Sequence, residues 1–153
     1  MAIAITIGGL VTSLILLVSV VFSWAVVPEA YLSEVTEGKI KSPKNWKTYT
    51  ALFSILSIII AGPIATAWWV ASAYDASFYE RLLAAWLVMV MINIMDLIVI
   101  DIVIYMWIYP SWMRIEGVEP LHKYWPHVKG AITGCSTIGV PIALLAAGIT
   151  TFV

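Results

Sequence analysis

The chain has 153 residues, 62% of them hydrophobic and only 11% charged, with a formal net charge of -1. A soluble domain carries about a quarter charged residues, so too little polar surface remains here for a water-facing globule, and a membrane protein is the class left. The small net charge offers no basic surface for nucleic acid. The single cysteine, Cys135, excludes an intramolecular disulfide and any cysteine metal cluster.

Crossing a bilayer core takes about 20 apolar residues. Four stretches meet that length, giving expected helices at about 2–27, 43–74, 78–109 and 126–151. The first lacks a basic leader and is too long for a signal peptide's apolar region, so it reads as a retained span. Ser42-Pro43 suits the start of the second helix. Ser77 and Glu80 form a capping-box pattern opening the third. Pro110 stops that helix, and Pro126 suits the start of the fourth. The expected architecture is all-α: one transmembrane domain over residues 1–153, a polytopic four-helix bundle with up-down-up-down connections.

Aromatic residues cluster at the helix ends, as interfacial belts require. Trp24, Trp46, Tyr49, Tyr105, Trp107, Tyr109, Trp112, Tyr124 and Trp125 mark one side; Trp68, Trp69, Tyr74, Tyr79 and Trp86 mark the other. Lys39, Lys41, Lys44, Lys47, Arg114, Lys123 and Lys129 flank the first and third loops, against Arg81 alone at the second. The positive-inside rule then puts loops 1 and 3 in the cytoplasm and both termini outside; a bacterial or archaeal cell membrane is the expected location. Loop 1, with Tyr31 and Leu32, reads as a short surface helix or a solvated loop.

Two carboxylates interrupt the third span, in Asn93-Ile-Met-Asp96-Leu-Ile-Val-Ile-Asp101. An aspartate at mid-membrane costs about 2.5–3.5 kcal/mol on insertion scales, and the apolar remainder of the helix offsets this. Facing lipid would still be costly, so both side chains are expected to point into the bundle or a subunit interface. In a regular α-helix Asp96 and Asp101 lie about 140° apart around the axis and about 7.5 Å along it. That spacing favours two linked polar contacts over one shared ion.

Counting depth from the helix ends puts Ser19, Ser54, Ser57, Thr133, Ser136 and Thr137 near the level of Asp101. These hydroxyls, with Asp101, Asp96 and Asn93, form the expected site for a proton, cation or substrate. His127, His122 and Lys129 are candidates for its cytoplasmic mouth. The same arithmetic leaves the histidines roughly 10 Å too shallow to touch Asp101. Two histidines five apart match no strong metal spacing, and no metal or cofactor is expected. Gly130, Gly134 and Gly139 suggest close helix approach, and Gly62-Pro63 and Pro141 suggest bends.

Asn93, Asp96 and Asp101, followed by His127 and Gly130 at the start of helix 4, resemble a pattern of small four-helix bacterial integral membrane proteins. The resemblance implies that these residues matter and leaves the reaction open.

The leading expectation is a transport or permeation protein in which Asp101, with Asp96, binds a proton or cation. Four helices leave little room for a private pathway, which implies a homodimer or larger complex in the lipid bilayer. A membrane-embedded enzyme acting on a lipid-like substrate is an alternative, although no nucleophile–base pair, phosphate loop or metal motif is present. An accessory subunit pairing its aspartates with a partner's basic residues is a third.

Overall fold

A computed structural model of the chain describes residues 1–36, 38–118 and 123–152, with Glu34 described by its backbone alone. Four helices are long and apolar enough to cross a membrane: α1 (Ala2–Val26), α2 (Trp46–Tyr74), α3 (Phe78–Ile108) and α4 (Tyr124–Ile149). No strand occurs among the described residues. The protein is therefore an all-α, membrane-spanning four-helix bundle. The central pair, α2 and α3, pack on each other, and each packs against both α1 and α4.

Local chemistry explains the boundaries. The Ser77 hydroxyl accepts from the Glu80 amide while the Glu80 carboxylate accepts from the Ser77 amide, completing the expected capping box of α3. The second helix begins later than Ser42-Pro43 suggested. Asn45 caps it, its side-chain oxygen accepting from the Thr48 amide at 2.9 Å. Ser42 instead donates to the Ala30 carbonyl and accepts from the Ser33 amide, holding loop 1 together. The fourth helix begins at Tyr124, two residues before Pro126.

Loop 1 is partly helical and partly buried. A 3-10 turn over Pro28–Tyr31 leads into a single α-turn, Leu32–Val35, and Ala30, Tyr31 and Val35 are buried against the bundle.

Two stretches depart from α geometry. The second part of α3, Asp96–Ile108, is π-helical, and so is Gly134–Ile138 in α4. Residues 98–104 of α3 contain six Ile and Val residues, whose branched side chains crowd the preceding turn of a tight α-helix. In α4 the Gly139 amide bonds to the Gly134 carbonyl five residues back. The Cys135 carbonyl then accepts from the Trp86 indole at 3.3 Å, so this widened turn is stitched to α3.

The half of the bundle around loop 2 and the termini is closed by small residues. Ala67, Ala84, Ala85, Ala143 and Ala146 are fully buried. Between α1 and α2 the packing is reciprocal. Thr12 donates to the Gly8 carbonyl and Thr66 to the Gly62 carbonyl, each within its own helix. Each threonine also occupies the space that a Cβ on the opposite glycine would need, Thr12 over Gly62 and Thr66 over Gly8. Arg81 pins the loop 2 end of α3 to the end of α4, donating to the Ala76 carbonyl at 2.7 Å and the Thr150 carbonyl at 2.6 Å.

Candidate functional site

The other half of the bundle holds Asp96 and Asp101. Asp101 is buried, and its carboxylate lies 3.0 Å from Nδ1 of His127 on α4. Both side chains are largely enclosed, at 12% and 13% exposure. That separation is a hydrogen-bonding distance between the imidazole and the carboxyl.

This pairing corrects the depth arithmetic, which left His127 out of reach of Asp101 and Asp101 without a basic partner. That arithmetic assumed α-helical rise throughout α3 and began α4 at Pro126. A π-helix closes rings between residues five apart and so climbs less per residue, bringing the end of α3 closer to Asp101. Starting α4 at Tyr124 also carries His127 one half-turn deeper. The same geometry revises the relation of the two aspartates. Residues five apart are hydrogen-bonded neighbours along a π-helix, so Asp96 and Asp101 stand on successive turns rather than about 140° apart.

An aromatic cluster encloses the pair. The ring of Tyr105, 2% exposed, lies 5.5 Å from that of His127 and 5.9 Å from that of Trp24. Trp24 stacks on Tyr31 with ring centroids 4.3 Å apart, and its indole donates to the Met113 carbonyl in loop 3. The Tyr31 hydroxyl meets Ser23. Trp24 and Tyr105 are therefore interior residues and leave the expected interfacial belt. Trp46, Trp107 and Trp125 remain well exposed at this end. Tyr109 closes the cluster edge-on to Tyr105, in a left-handed backbone conformation. Burial pushes the Tyr109 phenol up, against the pull of the Arg114 guanidinium 5.8 Å above its ring.

Asp96 and Asn93 face a cavity of 220 Å³ to which all four helices contribute. Asn93 donates to the Met89 carbonyl at 2.8 Å. Its side-chain oxygen occupies the space a Cβ at Gly134 would need, so Gly134 permits α3 and α4 to meet here. Gly139 packs against Met89 in the same way, but Gly130 has open space around it and does not serve close packing.

The hydroxyls do not join the site. Ser54, Ser57, Ser136 and Thr137 are exposed, and each donates to a carbonyl of its own helix. Thr133 is also exposed, and Ser19 lines a separate groove between α1 and α2 that includes Ser54. Helical Ser and Thr readily bond to their own backbone four residues back, and sharing Asp101's depth does not turn them toward it. Lys129 is exposed, and His122 lies outside the described residues.

Sequence reasoning passed over Trp24 and Tyr31. Leu16, Val20 and Trp24 recur every four residues, one stripe of a helix, and this spacing marks Trp24 as inward-facing. Among the described residues no three His, Cys, Asp or Glu side chains converge as a metal site would require. Compared with known protein families, curated proteins and solved structures, the chain matches none.

Proposed function

We propose that this membrane protein is a small transport or permeation protein in which the Asp101–His127 pair binds and passes a proton between the cavity beside Asp96 and the water at loops 1 and 3. The observation that carries this reading is the 3.0 Å contact between an enclosed carboxylate and an enclosed imidazole from a facing helix. Intramembrane ionisable side chains are costly, and chains of Asp, Glu and His are a recurring proton relay. The lysines of loop 1 and the basic residues of loop 3 support a cytoplasmic position for this end of the bundle.

Membrane-embedded acid–base chemistry on a lipid-like substrate is a second reading, favoured by the mostly apolar walls of the cavity.

The deciding experiment is proton flux into proteoliposomes, followed with an entrapped pH dye under an imposed pH gradient. Wild-type protein is expected to conduct protons, and Asp101→Asn, inserted to the same level, to reduce the flux to that of empty liposomes. Equal flux from the two proteins overturns the transport reading.

A further inference from the structure

A second concavity, a groove of 440 Å³, runs between α1 and α2 from the loop 1 end of the bundle. Its rim carries Trp46 and Lys47, the first two residues of α2, beside Val26, the last residue of α1. Its floor reaches Ser19 and Ser54. At 1.5 Å per residue the groove therefore descends about 10 Å along both helices. Its volume lies within the ~300–1,000 Å³ of ligand sites.

The chemistry changes with depth. The Thr50 and Ser54 hydroxyls donate to the Trp46 and Thr50 carbonyls of their own helix, and the Ser23 hydroxyl meets Tyr31. Below the rim, Phe22, Val26 and Ala51 make the lining mainly hydrocarbon. Phe22, Val26 and Trp46 are exposed at the bundle surface, so the groove opens sideways toward acyl chains. The rim is positive. Lys47 is exposed there, Lys44 is exposed just before it in the chain, and the N-terminus of α2 adds its partial positive charge. No carboxylate lines the groove among the described residues.

A small soluble anion would answer the charge and leave the apolar depth unfilled. A lipid without net charge would fill the depth and leave the lysine unanswered. An anionic phospholipid meets both demands, and an indole beside its head group suits the interface. We propose that this groove binds an anionic phospholipid, with one acyl chain between α1 and α2 and the phosphate at Lys47. The site is separate from the Asp101–His127 pair and does not depend on the permeation reading.

Full-length protein in detergent is titrated with phosphatidylglycerol or phosphatidylcholine of identical acyl chains, and bound lipid is counted by native mass spectrometry. Wild-type protein is expected to bind phosphatidylglycerol at least about fivefold more tightly, the worth of one lysine at an anionic surface. Lys47→Gln keeps the apolar walls and should bring the two lipids level. Ser54→Phe keeps the lysine, fills the floor, and should weaken binding of both lipids. Both positions are exposed, so neither substitution disturbs the buried packing. Equal binding of the two lipids to wild-type protein, a preference that survives Lys47→Gln, or lipid binding unchanged by Ser54→Phe overturns the assignment. A lipid-free dimer that Ser54→Phe dissociates also overturns it, giving the groove to a second copy of the chain.

Discussion

The two halves of the bundle solve opposite packing problems. Around loop 2 and the termini, regular α-helices carry alanine, glycine and threonine at their contacts, and backbones approach closely. Around loops 1 and 3, two of the helices widen into π turns, large aromatic rings replace the alanines, and a cavity opens beside Asp96. In lipid, apolar contact between helices gains little over contact with acyl chains, so close van der Waals packing of small residues holds the closed half together. That half acts as the anchor that lets the other half tolerate charge and empty volume. The closed half should then be sensitive in stability and the open half in activity.

The largest expected effect tests that division directly. Asp101→Asn should abolish proton flux while leaving thermal unfolding in detergent nearly unchanged, because Asn keeps the size and can still hydrogen-bond His127. In the closed half, Gly62→Ala drives a methyl into Thr12 and should destabilise the bundle by about 1–3 kcal/mol, read as a lowered unfolding midpoint, with flux per folded molecule retained. At the boundary, Trp86→Phe removes the indole donor to Cys135 and should cost about 0.5–1.5 kcal/mol. The smallest effect belongs to Gly130→Ala. Nothing lies near that position, and the gain in helix propensity should stabilise α4 by up to about 1 kcal/mol. A destabilising Gly130→Ala would mean that α4 packs more tightly there than described.

The closed half and the open half also differ in how far the sequence reveals them. Long apolar runs identify all four spans, and the capping box at Ser77 and Glu80 is legible because both partners lie within one turn. The inward position of Asp101 follows from the cost of a carboxyl in hydrocarbon. Its partner does not follow, since depth counting assumes a constant helical rise and the π turns of α3 break that assumption. The hydroxyls near its level fail for a different reason: a helical Ser or Thr has a carbonyl of its own within reach. Trp24 shows a third limit. Lying near a helix end agrees with an interfacial belt, and only the stripe shared with Leu16 and Val20 reveals that it faces inward.

A double-mutant cycle on proton flux tests most directly whether Asp101 and His127 act as a unit. Asp101→Asn, His127→Phe and the double variant are compared in proteoliposomes at equal protein density. Residues that act as a unit are strongly non-additive, so each single substitution should lower flux as far as both together. Wild-type flux from His127→Phe would contradict the account, leaving the imidazole a structural neighbour of Asp101 and nothing more.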